Sequence, residues 1–340
     1  MTQRTDAAGP RSRRAVLRSG AALAGAGLCG VGSAAADPPG TVDVLTQNLF
    51  LGAALTPVLD VETEAEFEET AESIYREVLE SRFDRRAESL ADEIAGVEPD
   101  VIGLQEVARF AEQGEEATTR DYLRILVERL EGEGLSYDER AAVETFDAEF
   151  PVEGGSGVDR VRFSNRDVIL AREGVETSEA DAGTYYAGGR EFGIGRGYCS
   201  VTVAGTVTFV NTHLSPPRIP ALQYVQAAEL SARFRDPPAV LVGDFNSGPD
   251  TTDARAYEVL TGRYTDAYAV ANPDEAGETC CQRPALTDEE SALDRRIDHV
   301  FTRGDVETLG AGRIGTDRAA RVEGLWPSDH AGVTAELKLP

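Results

Sequence analysis

The chain has 340 residues and a formal net charge of −27 at pH 7, from 60 acidic and 33 basic side chains. Hydrophobic residues make up 41% of it, an ordinary content for a globular protein that excludes a largely disordered chain. The negative charge, with no basic stripe in the sequence, argues against tight non-specific binding of a polyanion. An acidic chain with one lysine, Lys338, indicates a halophilic protein, because concentrated salt screens the repulsion between its charges.

The first 36 residues have the layout of an export signal. The twin arginine Arg13-Arg14 precedes an apolar stretch at 20–32, and small residues stand directly before Asp37. This order predicts a signal peptide, and the paired arginines favour secretion by the Tat route. The apolar stretch is too short and too glycine-rich for a comfortable membrane span, and Cys29 is expected to be removed with it.

Residues 37–340 are predicted to form one domain, since no Gly/Ser-rich or Pro-rich linker divides them. A monomer without a stable protein partner is expected. Three cysteines remain in this part: Cys199, Cys280 and Cys281. Export permits a disulfide, for example between Cys199 and one of the adjacent pair, and the sequence does not decide the pairing.

Hydrophobic periodicity predicts alternating strands and helices in the first half of the chain. The predicted elements are a strand at Thr41–Phe50, a helical segment over 63–97 with the acidic run Glu62–Glu72 as its solvated face, a strand at Val101–Leu104 and a helix at Asp121–Leu130. The segment 140–195 gives the weakest pattern. It predicts one strand, Arg166–Ala171, between glycine-rich loops.

The second half repeats this mixture of elements. The predicted elements are a hairpin of Tyr198–Val203 with Thr206–Val210, a helix at Pro220–Phe234, and strands at Ala239–Val242, Ile297–Thr302 and Ala331–Leu339. Strands mixed with helices, several ending in polar residues, predict an α/β protein with layered sheets.

Polar clusters stand where the predicted strands end. They are Gln47-Asn48, Gln105-Glu106, Asn211–Leu214, Gly243–Asn246, Arg296–His299 and Ser328–His330. Loops held by a rigid sheet are a common place for catalytic residues. All three histidines of the chain lie in these clusters, which favours a chemical role over a structural one for the set.

These residue types suit the hydrolysis of a phosphodiester. The negative charge of the ester repels an attacking hydroxide, so the site must supply a cation, a base for the water and donors to the phosphate oxygens. Glu106 and nearby carboxylates are hard oxygen ligands of the kind that Mg²⁺ prefers, with Mn²⁺ as the alternative. A histidine held by an aspartate has a fixed tautomer and raised basicity.

In chain order, six short motifs resemble those of the endonuclease/exonuclease/phosphatase (deoxyribonuclease I-like) superfamily. They are Thr46–Asn48, Leu104–Glu106, Thr212–Leu214, Gly243–Asn246, Arg296–Asp298 and Ser328–His330. The opening Asn48–Ala53 and the segment Thr279–Gln282 look like those of secreted members from bacteria and archaea, here of haloarchaeal type. The resemblance implies a single-domain α/β sandwich of two packed mixed β-sheets flanked by helices, and a metal-dependent phosphoric ester hydrolase.

The resemblance also implies which residues bind the metal. Glu106 would be the main metal ligand with Asn48 beside it, and Asp329 could serve a second metal position. His299 occupies a position where the family varies, so a structural role is expected for it.

Five further residues are implied to be catalytic. Asp298 would orient His330, and this pair would activate the attacking water or contact the phosphate. Asp244 is the rival candidate for the base. Asn246 would hold the phosphate, and His213 would protonate the leaving oxygen or stabilise its charge.

One element of the family pattern has no unique match in the sequence. Many nucleases of the superfamily place a second acid or a tyrosine between the regions of Glu106 and His213. The candidates here are Glu144, Asp147, Glu149 and Asp167.

The substrate stays open at the level of the sequence. A nuclease suits an exported scavenging enzyme, whereas a sphingomyelinase-like phospholipase or a small-molecule phosphatase are alternatives. A catalytically inactive binding module is the non-enzymatic alternative, and the intact acidic residues argue against it. A zinc hydrolase is less favoured, because no HExxH or other tight ligand spacing occurs.

Overall fold

A computed structural model describes residues 40–55, 57–58, 61–114, 117–152, 158–187, 195–236 and 238–340. The predicted signal segment, residues 1–36, lies outside the described residues. Over the described part, thirteen strands form two mixed sheets, one of seven strands and one of six. The predicted architecture of two packed mixed sheets with flanking helices is confirmed.

The seven-stranded sheet contains both ends of the described chain. Its strands are β1 (Thr41–Asn48), β2 (Val101–Gly114), β3 (Thr119–Asp121), β4 (Tyr137–Pro151), β5 (Val158–Arg172), β12 (Glu307–Ile314) and β13 (Gly332–Lys338). The order is β12-β13-β1-β2-β5-β4, and β3 pairs with β2 outside this path. The pair β1/β2 is parallel and the other pairs are antiparallel.

The six-stranded sheet is built from the middle of the chain. Its strands are β6 (Thr177–Thr184), β7 (Gly197–Val203), β8 (Val207–His213), β9 (Ala239–Asp244), β10 (Thr265–Asp266) and β11 (Asp298–Arg303). The order is β10-β11-β9-β8-β7-β6, and only β8 and β9 run parallel among these pairs.

Six α-helices are assigned in the described residues, together with a 3₁₀ turn near the C-terminal end. They are α1 (Glu64–Glu80), α2 (Phe83–Val97), α3 (Tyr122–Gly132), α4 (Pro220–Arg233), α5 (Arg255–Thr261), α6 (Ala267–Ala271) and the 3₁₀ turn Arg318–Ala320. Thr63 and Glu66 form a capping box at the start of α1. The helical segment predicted over 63–97 is two helices, because Arg82 adopts a left-handed conformation with φ 51° that a continuous helix does not allow. No helix in the described ranges is both long and apolar enough to span a membrane.

The core lies in three apolar layers. Valines dominate the layer between the sheets, including Val44, Val201 and Val242. The helices α1 to α3 cover the outer face of the seven-stranded sheet, and α4 with α5 covers the outer face of the six-stranded one. A Cβ on Gly103 of β2 would lie 2.4 Å from Val242 Cγ2, so a glycine lets the two sheets approach closely.

The segment 140–195 contains more strand than the sequence predicts. In it β4 pairs along its length with β5, which begins at Val158 and not at Arg166. Charged residues interrupt the hydrophobic alternation, and cross-strand ion pairs such as Glu149–Arg160 (2.5 Å) replace it. A hydrophobic pattern alone therefore misses these strands.

The disulfide suggested as an example for Cys199 is not formed. A disulfide joins Cys280 to Cys281, and Cys199 is a free, fully buried cysteine on β7. The thiol of Cys199 packs between the sheets and donates to the Asp167 carbonyl oxygen at 3.5 Å, away from the adjacent pair.

Candidate active site

Strand register brings three predicted residues side by side at one edge of the six-stranded sheet. In the parallel pair β8/β9, His213 lies opposite Asp244. In the antiparallel pair β9/β11, Asp244 lies opposite Asp298. The carboxyl ends of β8 and β9 and the start of β11 therefore meet, as the sequence motifs at these strand ends predict.

The seven-stranded sheet contributes residues at the same place. Asn48 ends β1, and the residues before β13 run alongside it, because β13 is antiparallel to β1. Ser328 Oγ donates to the Asn48 carbonyl oxygen at 2.7 Å, and Gln47 Nε2 donates to the His330 carbonyl oxygen at 3.3 Å. These bonds fix the Ser328–His330 segment against the end of β1.

His330 and Asp298 form a buried pair. His330 Nδ1 lies 2.8 Å from Asp298 Oδ2, and the two residues are 7% and 1% exposed. Burial alone would lower the pKa of His330. The carboxylates of Asp298, Asp329 and Asp244 outweigh it and raise this pKa well above its usual value. The imidazole is thus held as a cation whose Nε2 is turned away from Asp298.

Asp244 lies at the centre of the site and accepts several hydrogen bonds. Its Oδ1 accepts from the Asn246 amide at 2.8 Å, and its Oδ2 accepts from Asn48 Nδ2 at 3.2 Å. Burial and the negative charge of Asp298 raise the pKa of Asp244 to about 7, although the charge of His330 opposes this. This carboxyl group can therefore take up or release a proton near neutral pH.

His213 and Asn246 stand beside Asp244. His213 Nε2 lies 3.2 Å from Asp244 Oδ2 and 3.1 Å from Asn246 Nδ2. Burial, with repulsion from the positive charges of Arg196 and His330, holds the pKa of His213 well below its usual value. His213 is thus a neutral imidazole, and its buried Nδ1 has no hydrogen-bond partner in the described part of the chain.

Glu106 and Asp329 contribute carboxylate groups that are candidate metal ligands. Glu106 adopts φ 55° within a bulge of β2, and its Oε2 accepts from the Leu51 amide at 2.9 Å. Asp329 Oδ1 is buried 3.9 Å from His330 Nε2 and has no hydrogen-bond partner among the described residues. Burial, with the negative charge of Glu106, raises the pKa of Asp329 to about 6 against the pull of His330. The Asn48 side chain donates from Nδ2 to Asp244, and its Oδ1 accepts from the Phe50 N–H at 2.9 Å.

Among the four candidates for the missing acid, only Asp167 is buried next to the site. Asp147 and Glu149 pair with arginines on the exposed face of the sheet, and Glu144 is exposed. Asp167 lies opposite the Glu106 bulge, and within the described ranges neither of its side-chain oxygens accepts a hydrogen bond that meets ordinary distance and angle limits. Burial raises the pKa of Asp167 to about 8, and the charge of Arg196 and the Glu106 amide only partly offset this.

Two arginines at the site are not predicted by the sequence. Arg196 lines the cleft directly before β7, and its guanidinium makes no hydrogen bond or ion pair with a described residue. Arg86 is fully buried on α2 and donates to the carbonyl oxygens of Leu49 and Pro327, each at 2.9 Å. It thereby ties the loop after Asn48 to the loop before Ser328. Neither arginine belongs to a strand-end motif, so these motifs do not predict them.

His299 lies in a separate cluster, here named the ion-pair cluster, with Asp266 and Arg296. Arg296 Nη1 lies 2.5 Å from Asp266 Oδ2, and His299 Nδ1 lies 3.4 Å from the same oxygen. His299 Nε2 lies 3.0 Å from the Ser247 carbonyl oxygen. This placement supports the structural role expected for His299.

The predicted catalytic and metal-binding residues other than Asn48 and Asp298 line one cleft of about 310 Å³. A larger groove of about 470 Å³ lies beside β12 and α6, and it contains none of them. Ligand atoms of Asp244, Asp298 and His330, here named the cleft cluster, lie within 4.8 Å of one another and could hold a metal ion. Ligand atoms of Cys280, Cys281 and His330 also lie within 4.8 Å of one another, but the disulfide occupies both sulfurs.

Comparison with known proteins gives one family. The pattern described as "Endonuclease/Exonuclease/phosphatase family" matches residues 74–330. No curated protein sequence matches the chain significantly.

Solved structures share the fold at low identity. An endonuclease/exonuclease/phosphatase from Beutenbergia cavernae is 22% identical with a TM-score of 0.57, and the match covers 88% of this chain and 72% of that one. D. rerio TDP2 humanized by 14 mutations is 17% identical with a TM-score of 0.52, over 88% and 99% of the chains. D. rerio TDP2 complexed with a single-strand DNA product is 16% identical with a TM-score of 0.51, over 87% and 98%.

Proposed function

Because the chain belongs to the endonuclease/exonuclease/phosphatase family, we propose that it hydrolyses phosphodiester bonds with the help of a divalent cation. One observation carries the proposal: the Asp298–His330 pair, Asp244 and His213 meet at the edge of one cleft, although they come from distant parts of the chain. Nucleic acid is one candidate diester, as in the relative whose structure holds a DNA product.

The carboxylates of the cleft suit a hard cation. Glu106 and Asp329, whose Oδ1 accepts no hydrogen bond from a described residue, would hold Mg²⁺, or Mn²⁺ in its place, with the Asn48 amide oxygen as a further ligand. Burying carboxylates without a cation is unfavourable, and the raised pKa of Asp329 (about 6) reflects this cost. When bound, the cation would polarise a phosphate oxygen and offset the negative charge that develops during the attack of water.

The side chains of the cleft take the remaining roles in the proposed reaction. Asp244, whose pKa is raised to about 7, accepts the proton of the attacking water. The His330 imidazolium, oriented by Asp298, donates to a phosphate oxygen and stabilises its charge. Asn246 donates to the phosphate as a neutral group. His213 is neutral, so it stabilises the leaving oxygen as a hydrogen-bond donor and does not supply its proton.

The test is an assay of the purified protein in molar salt with bis(p-nitrophenyl) phosphate. We expect release of p-nitrophenol with Mg²⁺ or Mn²⁺ and none with a chelator. His330→Ala should lose the activity and keep its circular dichroism spectrum. The proposal fails if no metal supports turnover, or if this variant retains the turnover of the parent.

Export is a second part of the proposal and rests on residues 1–36 alone. Secretion by the Tat route and function in high salt fit the twin arginine and the acidic composition. Replacing Arg13 and Arg14 with lysine should keep the protein inside a Tat-competent host. Secretion of that variant at the parent level would contradict the assignment.

A further inference from the structure

The lining of the cleft has two chemically different parts. One part contains the polar residues of the proposed reaction. The other part is apolar and is supplied by the loop after β1, by β4 and by the start of α4: Leu51, Leu55, Phe146, Pro216, Ile219 and Leu222. Ile219 is 45% exposed, so it presents apolar surface to an incoming ligand. Apolar surface beside reacting groups is a feature of small-ligand sites.

Arg196 is the one arginine or lysine among the described residues that line this cleft. No described residue neutralises its guanidinium by an ion pair or hydrogen bond, although its charge acts on Asp167 and His213. Beside the proposed divalent cation and the His330 imidazolium, one unpaired guanidinium provides for a single phosphate. A polynucleotide is held by a series of phosphate contacts, each of which requires a cation or another donor.

The size and local charge of the cleft favour the same substrate class. A volume of about 310 Å³ lies at the low end of the range for small-ligand sites. One phosphate at Arg196 experiences a local positive charge at short range, where salt screens it least.

On the basis of the proposed function, we infer that the substrate is a compact diester with one phosphate and one uncharged apolar ester group. The phosphate lies between Arg196 and His330. The apolar group packs on Leu55, Phe146 and Ile219. Burial of a ring-sized group is worth about 1.5–3 kcal/mol, which corresponds to a roughly 10- to 100-fold gain in kcat/KM.

The experiment compares two esters with the same leaving group, methyl p-nitrophenyl phosphate and phenyl p-nitrophenyl phosphate. We expect kcat/KM to be at least about 10-fold higher for the phenyl ester, mainly through KM. Ile219→Ser should lower this preference several-fold. Val270→Ser, at a 54% exposed residue of α6 outside the cleft, is the matched control and should keep the preference of the parent.

The same assay includes two further substrates, a single-stranded oligonucleotide and vesicles of zwitterionic phospholipid. Each should turn over more slowly per bond than the phenyl ester. The inference is overturned if the oligonucleotide or the vesicles are cleaved as fast, or if Ile219→Ser leaves the phenyl preference unchanged. Equal turnover of the methyl and phenyl esters would contradict the inference alone and leave the proposed function intact.

Binding supplies a readout that does not depend on turnover. Calorimetry should show tighter binding of phenylphosphonate than of methylphosphonate, and Arg196→Gln should weaken both. If no ester is hydrolysed, the proposed function fails, and this measurement still decides whether the cleft binds one phosphate together with an apolar group. Equal binding of the two phosphonates would overturn it.

Discussion

Two clusters of aspartate and histidine lie close together along the chain and differ in how completely they are paired. In the ion-pair cluster, Asp266 accepts from Arg296 and also from Tyr257 at 3.0 Å, and none of its buried side-chain oxygens lacks a partner. In the cleft cluster, Asp298 Oδ1 is buried and no described residue forms a hydrogen bond with it. Complete pairing is expected of a structural cluster, and incomplete pairing supports the proposal that the cleft cluster takes part in chemistry.

The pKa values of the two clusters move in opposite directions. Burial would raise the pKa of Asp266, but His299 and Arg296 together hold it well below its usual range. Burial and the negative charge of Asp298 raise the pKa of Asp244 to about 7, since no arginine pairs with it. The cleft cluster therefore keeps a proton-accepting group at neutral pH, whereas the ion-pair cluster does not.

The largest expected effect is on catalysis at the cleft cluster. His330→Ala should lower kcat/KM by about 10²–10⁴-fold, because it removes the cation that contacts the phosphate and leaves Asp298 without its partner. His299→Ala is the comparison variant and should change kcat/KM of the folded protein much less. Steady-state kinetics with bis(p-nitrophenyl) phosphate measures both. Similar losses in the two variants would remove the distinction between the clusters.

The ion-pair cluster should dominate stability. Asp266→Asn leaves the buried guanidinium of Arg296 without its counter-ion and should lower the free energy of unfolding by about 3–5 kcal/mol. Urea denaturation measures this, with the exposed Asp236→Asn as a control for charge removal. A loss below about 1 kcal/mol would show that Arg296 does not depend on this carboxylate.

Buried acids without a counter-ion should make the free energy of unfolding fall as pH rises, whereas an acid paired with a cation makes it rise. The pKa of Asp167 is about 8 when folded and about 3.9 when unfolded, so the folded state binds the extra proton between these values. Stability in chelator should therefore fall as pH rises from about 4 to about 8. Thermal unfolding of Asp167→Asn should show a shallower decline, and an unchanged decline would assign the dependence to other groups.

The smallest expected effect concerns the hydroxyl that positions the cleft cluster. Ser328 Oγ donates to the Asn48 carbonyl oxygen at 2.7 Å and accepts from the His330 amide at 3.1 Å. Ser328→Ala should lower the free energy of unfolding by about 1–3 kcal/mol, because it leaves a buried carbonyl and amide with one fewer partner. Denaturation measures this change, and Ser291→Ala, outside the cleft, is the matched control. A loss equal to that of the control would contradict the positioning role.

The sequence was sufficient for the fold class and for predicting that the polar strand ends lie together. Strand-end motifs predict which side chains meet, because the parallel pairs β1/β2 and β8/β9 place their carboxyl ends together. The sequence was insufficient to predict β4 and the start of β5, where ion pairs such as Glu149–Arg160 replace hydrophobic alternation. It also left the choice among four acids open, since their burial depends on the face of the sheet that each occupies.

By itself, the sequence determined the chemistry available to this protein: its acidic composition, its three histidines and the motifs that contain them. Only the tertiary structure decided which of these groups are neutralised. Asp298 and His299 are consecutive on β11, so their side chains point to opposite faces of the strand. Arg296 and Asp266 enclose His299, whereas Asp298 faces His330 beside the cleft. The pairing of a buried charge depends on neighbours that are distant in the chain, and it separates two adjacent residues into a structural and a chemical role.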